Sequence, residues 1–155
     1  MDKIRIAIID DETPARELIK HYLKEVDSIE VIAECADGFS GLKSISAMKP
    51  DLVFLDIQMP RLTGIELVEV LTEKPEIIFT TAYDQFAIRA FELNAVDYLM
   101  KPFQKRRFLD AVKKAIDKIR SGQETKSRQV SFSPKSRNLP LQSTGLLFAK
   151  VMLSI

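Results

Sequence analysis

Five short apolar runs alternate with stretches of helical periodicity, and no other feature of the chain restricts its fold so tightly. The runs are Ile4–Ile9, Val31–Ala33, Leu52–Leu55, Ile77–Thr81 and Val96–Met100. After the first, Thr13–Pro14 predicts a helix start, with Thr as N-cap and Pro at the first helical position. Ala15, Leu18, Ile19, Tyr22, Leu23 and Val26 then recur at helical spacing. Asp37–Gly38 turns the chain into a second helix carrying Leu42 and Ile45, which Pro50–Asp51 stops. Gly64 opens a third helix with Ile65, Leu67, Val68 and Leu71. Phe86, Ala87, Ala90 and Phe91 mark a fourth, and Phe108, Val112, Ala115, Ile116 and Ile119 share one face of a fifth. Short connections between such β/α units require right-handed crossovers, hence a parallel sheet with helices on both sides. The expected fold is α/β, a doubly wound five-stranded parallel sheet.

The ends of these runs carry the chemistry. Leu52-Val53-Phe54-Leu55 reads as a strand buried on both faces, and Asp56 stands where it stops. Asp10 and Asp11 close the first run in the same way. In open α/β sheets ligands bind at the carboxyl edge, beside the point where the strand order reverses. That point lies next to the first strand, so Asp10, Asp11 and Asp56 are expected in one cleft. Each acid alone reads equally well as a loop-solvating or helix-capping group. Together they need an explanation, because two like charges about 4 Å apart repel by about 4 kcal/mol at an effective dielectric near 20. Either one carboxyl is protonated or a cation sits among them. An all-oxygen site suits a hard ion such as Mg²⁺.

Two further strand ends complement the acids. Thr81 offers a hydroxyl, although alone it reads as a helix N-cap. Lys101, followed by Pro102, could neutralise a carboxylate or clamp an anion; alone it is a surface charge.

Asp10-Asp11, Asp56 with Gln58-Met59-Pro60 and Gly64, Thr81-Ala82 and Lys101-Pro102-Phe103 resemble the response-regulator receiver domain of two-component signalling in order and separation. The resemblance covers about residues 3–120 and implies a flavodoxin-like (βα)5 receiver fold. Thr80-Thr81-Ala82-Tyr83-Asp84, Phe86-Ala87, Phe91 and Ala95-Val96-Asp97-Tyr98-Leu99 are similar to receivers of LytTR-type response regulators. By this resemblance Asp56 is the phosphoacceptor for a sensor histidine kinase, a signalling role rather than that of an enzyme with an external substrate. Asp10, Asp11, Asp56 and the backbone carbonyl of Gln58 would hold Mg²⁺. Thr81 and Lys101 would bind phosphoryl oxygens, Tyr98 would turn inward behind Thr81 as the switch, and Gln58 and Tyr83 would tune phosphoryl lifetime. The face of the fourth helix, fifth strand and fifth helix would form a homodimer. Arg89, Glu92, Asp97, Lys105, Arg106 and Asp110 supply charges of both signs there, which equally suit a solvated surface.

Rival chemistries lack their signatures. A haloacid-dehalogenase-like phosphatase needs a second Asp two residues after the nucleophile, where this chain has Gln58. A nucleotide-binding enzyme needs a glycine loop after the first strand, and Asp10-Asp11-Glu12-Thr13 has none. A degenerate receiver would lack one of the five key residues. The single cysteine, Cys35, excludes an intramolecular disulfide and reads as a packing residue in a reducing compartment. His21 beside Tyr22 reads as structural or exposed. No apolar stretch approaches a membrane span and no secretory pattern opens the chain, so a cytoplasmic protein is expected.

Organisation changes near residue 120. Residues 1–120 hold 18 Lys and Arg against 21 Asp and Glu, whereas residues 121–155 hold 5 against 1. Residues 1–120 read as the receiver, 121–138 as a polar linker and 139–155 as a short tail. The tail is too short for a LytTR DNA-binding domain, so the expectation is a fragment whose output domain is missing, with DNA contacted only through that domain. Two alternatives are a short regulator acting as a phospho-dependent or constitutive protein-interaction module, and a basic tail that binds DNA weakly.

Overall fold

The computed structural model describes residues 2–136, with side-chain surroundings given to residue 124. The tail read at 139–155 lies outside the described residues. The chain divides between Ile119 and Arg120 into two units. The first holds a five-stranded sheet of β1 (Ile4–Ile9), β2 (Ile29–Cys35), β3 (Leu52–Asp56), β4 (Glu76–Thr81) and β5 (Asp97–Met100). Every pairing is parallel and the order is β2-β1-β3-β4-β5. The doubly wound α/β fold is thus as the strand–helix alternation predicts, with β1 and β3 adjacent.

Side chains alternate across a strand with period two, and here that alternation sorts two cores. Ile4, Ile6 and Ile8 of β1, Leu52 and Phe54 of β3 and Ile78 of β4 face one side. They pack on Ile19 and Leu23 of α1 (Thr13–Leu23) and on Phe108, Val112, Ala115 and Ile119 of the last helix. The Phe54 and Phe108 rings stack with centroids 5.1 Å apart. Ala7, Ile9, Val53, Leu55, Ile77 and Phe79 face the other side. They meet Ile45 of α2 (Gly38–Met48), Leu67 and Val68 of α3 (Gly64–Val70) and Ala90 of α4 (Ala87–Glu92). Every residue of β3 is buried, as its unbroken apolar run implies. Cys35 is buried and directs Sγ to the Ser44 hydroxyl at 3.3 Å, while His21 is exposed beside Tyr22.

Local signals set most helix ends. Asp37 caps α2, its carboxylate accepting from the Ser40 N–H, and Thr63 with Glu66 forms a reciprocal capping box on α3. Two expectations need correction. The N-cap of α1 is Glu12, not Thr13; the Thr13 hydroxyl accepts from Arg16 at 3.1 Å and is the first helical residue. Phe91 is not a core position of the fourth helix. With only six residues α4 turns a single small side chain, Ala90, fully inward, and Phe91 is 83% exposed. α5 runs from Lys105 to Ser136, into the stretch read as a polar linker.

Candidate functional site

Parallel pairing of β1 with β3 places Ile9 opposite Leu55, so the residues that follow them emerge side by side at the carboxyl edge. Asp10 and Asp56 are both buried there, and Asp11 is exposed at the rim. Carboxylate oxygens of Asp10, Asp11, Glu12 and Asp56 all lie within 4.8 Å of one another. Lys101 reaches in from the end of β5. Its Nζ is 2.9 Å from Asp10 Oδ2, 3.2 Å from Glu12 Oε1 and 3.7 Å from Asp56 Oδ1. The Lys101 N–H donates to the Thr81 carbonyl at 2.7 Å, which fixes the β4 and β5 ends together, and the Lys101–Pro102 peptide bond is cis.

Electrostatics confirm that the acids strain against one another. Burial raises the Asp56 carboxyl, the charge of Asp10 raises it further, and Lys101 only partly offsets both, so it lies at about 8. Burial works against the Lys101 charge, but Asp10, Asp56 and Glu12 outweigh it and its pKa is raised. Asp10 Oδ1 accepts from the Glu12 N–H at 2.9 Å. Asp10 Oδ2 is buried without a hydrogen-bond partner, Lys101 standing beside it without bonding geometry. A buried carboxylate oxygen left in this state fits a cation ligand, and the all-oxygen set suits a hard divalent ion. A cavity of about 650 Å³, lined in part by Asp11, Gln58, Met59, Pro60 and Phe86, opens beside the acids.

The remaining expected residues surround this centre. The Gln58 N–H donates to Asp56 Oδ1 at 3.3 Å. Thr81 is fully buried, and its hydroxyl oxygen accepts from the Tyr83 N–H at 3.2 Å, leaving the hydroxyl proton to be donated. The half-buried Tyr98 donates its hydroxyl to the Tyr83 carbonyl, so Thr81, Tyr83 and Tyr98 form one connected chain. Gly64 sits against the Asp56 backbone: a Cβ there would lie 2.4 Å from the Asp56 carbonyl oxygen.

A family model described as the response regulator receiver domain matches residues 6–113. The chain belongs to the response-regulator receiver family. It is 49% identical over 106 residues to an uncharacterized response regulatory protein of Yersinia pestis, covering 67% of this chain and 44% of that protein. It is 40% identical over 136 residues to the transcriptional regulatory protein BtsR of Escherichia coli K12, covering 86% of this chain and 54% of BtsR. The response regulatory domain of MrkE from Klebsiella pneumoniae superposes with a TM-score of 0.70 at 32% identity, over 76% of this chain and 98% of that one. The chain therefore spans about half the length of these curated relatives. Among the described residues no helix is long and apolar enough to cross a membrane.

Two features of this receiver escaped the sequence. Glu12 belongs to the site through its contact with Lys101; its place after Asp11 hints at proximity, but nothing in the sequence says that its side chain leaves the helix start. The charges expected on the α4–β5–α5 face are mostly paired within the chain. Arg89 bonds Glu69 and lies near Glu92, Asp97 holds Arg107 and Lys114, and Lys105 meets Glu25. Apolar side chains protrude there beside the exposed Arg106 and Asp110: Ile88 at 77% exposure, Phe91, and Met100 at 44%.

Proposed function

We propose that Asp56 accepts a phosphoryl group from a sensor histidine kinase. The observation that carries this is a buried strand-end carboxylate enclosed by three further acids and a lysine, beside an open cavity. In the transfer an Asp56 Oδ attacks phosphorus, the P–N bond of the kinase phosphohistidine breaks, and the imidazole leaves with the electron pair and takes up a proton. Asp10, Asp11, Asp56 and the Gln58 backbone carbonyl would hold Mg²⁺, which supplies charge neutralisation at the phosphoryl oxygens. A cation among the acids also lowers the Asp56 carboxyl from its raised value, favouring the carboxylate that attacks.

Lys101 then pairs with one phosphoryl oxygen, and Thr81 donates its proton to another. Drawing Thr81 inward pulls on the Tyr83 N–H, and through Tyr83 on Tyr98, biasing the α4–β5–α5 face between two packings. Gln58 and Tyr83, at the mouth of the site, tune how readily water reaches the phosphoryl group. Ile88, Phe91 and Met100 add exposed apolar area to the charges of that face, which suits a homodimer contact there. The output is transcription control through a LytTR DNA-binding domain, in a cytoplasmic protein of which residues 1–120 are the receiver. The transcriptional role printed for BtsR, a relative about twice as long as the matched segment, supports this over a stand-alone interaction module.

The test is intact-mass analysis after incubation with a small phosphodonor, with and without Mg²⁺, beside Asp56→Asn. One Mg²⁺-dependent phosphoryl adduct, absent from the variant, is expected. An unmodified but folded wild type under several donors refutes the reading.

A further inference from the structure

We infer that Glu12 is a positioning residue that grips Lys101 before phosphorylation and yields it to the arriving phosphoryl group. Glu12 is the N-cap of α1, with extended backbone at φ −107° and ψ 120°, yet its side chain makes no capping bond. It turns instead toward a residue 89 positions away, placing Oε1 3.2 Å from Lys101 Nζ. The Glu12 backbone is fixed, since its N–H donates to Asp10 Oδ1. The three carboxylates around the ammonium are not equivalent. The side chains of Asp10 and Asp56 are 1% and 4% exposed and rooted at strand ends, whereas that of Glu12 is 65% exposed.

A lysine ammonium has three N–H donors. Here one of them bonds Glu12 Oε1, with Asp10 and, at longer range, Asp56 beside the ammonium as ion-pair partners, so a phosphoryl oxygen that takes Lys101 competes with these carboxylates. Glu12 is the partner that can leave, because its carboxylate swings into water without moving a strand and without stranding a buried charge. Its departure also removes a negative charge from the path of an anionic donor. Exposed ion pairs of this kind shift equilibria by about 0.2–1 kcal/mol, or about 1.4- to fivefold, and salt weakens them.

The exchange rests on Asp56 being the phosphoacceptor; the grip on Lys101 does not. The test therefore has two readouts on the full 155-residue chain as wild type, Glu12→Gln and Glu12→Asp. The first is the rate of Lys101 acetylation by acetic anhydride without metal, relative to the exposed Lys113, read by peptide mass spectrometry. Glu12→Gln removes the charge, and Glu12→Asp keeps it but shortens the reach by one methylene. Both are expected to raise Lys101 acetylation by about 1.4- to fivefold. The second is the rate of phosphoryl incorporation from acetyl phosphate with Mg²⁺, expected to rise by a similar factor in Glu12→Gln and to converge on wild type at high salt. Equal Lys101 acetylation in all three proteins, or slower phosphorylation of Glu12→Gln, overturns the proposal. Raised acetylation with no phosphoryl adduct on any protein upholds the grip and refutes the phosphoacceptor reading instead.

Discussion

Substituting Gly64 by alanine tests how tightly Asp56 is held. Gly64 begins α3 and donates its N–H to the Ile57 carbonyl at 3.0 Å, so the helix start lies directly on the end of β3. An added Cβ would meet the Asp56 carbonyl oxygen at 2.4 Å and the Asp56 carbonyl carbon and Ile57 Cα at 3.1 Å. Ordinary contact begins near 3.4 Å, so about 1 Å must be found between α3 and the Asp56 backbone. All three atoms are main chain, and β3 is hydrogen-bonded to β1 and β4, so no flexible side chain can absorb the strain. Overpacking of this kind costs about 1–3 kcal/mol. Displacing a reacting group by about 1 Å costs up to about 100-fold in rate. Gly64→Ala should therefore lose about 1–3 kcal/mol in urea unfolding and slow phosphoryl incorporation at Asp56 by ten- to a hundredfold, an order-of-magnitude range. Incorporation is read by intact mass against time. A variant with stability within about 0.5 kcal/mol of wild type and an unchanged rate would show that the edge yields, and would refute the claim that close packing positions Asp56.

Two other outcomes are expected. Asp97 accepts from Arg107 at 2.7 and 2.8 Å, from Lys114 at 3.1 Å and from the Tyr98 N–H at 2.8 Å. Burial opposes its ionisation, but these donors outweigh burial and hold the carboxyl at about 2. Because the folded value lies below the ordinary 3.8, the stabilisation is complete above that pH and is lost as pH falls toward 2. Asp97→Asn should cost about 2 kcal/mol at pH 7, with the gap to wild type closing in urea melts between pH 4 and pH 2; a gap independent of pH would contradict this assignment. Mg²⁺ at about 100 times its Kd should stabilise the native state by about 2.7 kcal/mol in thermal melts, and Asp10→Asn should abolish most of that gain. An equal Mg²⁺ response in that variant would place the ion elsewhere.

The α/β alternation was legible because each strand here obeys one dominant rule. An apolar run such as Leu52–Leu55 can be satisfied only between two layers, and the short connections leave the parallel order little freedom. The acids were legible for the same reason: a carboxylate ending a buried run must emerge at the sheet edge. Helix ends and surfaces were less so. Polarity made 121–138 look like linker, although α5 continues to Ser136, and a helical period made Phe91 look like core, although a six-residue helix has room for little more than Ala90.

The sequence alone therefore determined the strands, their layering and the identity of the charged groups at their ends. These are local or periodic properties, set by which side chains can be buried. Tertiary structure alone decided which charges meet. Glu12 pairs with Lys101, Arg89 with Glu69 and Asp97 with Arg107, while Ile88, Phe91 and Met100 remain uncovered. Such pairings depend on strand order and side-chain reach across as many as 89 positions, and a single sequence read along its length carries no measure of either.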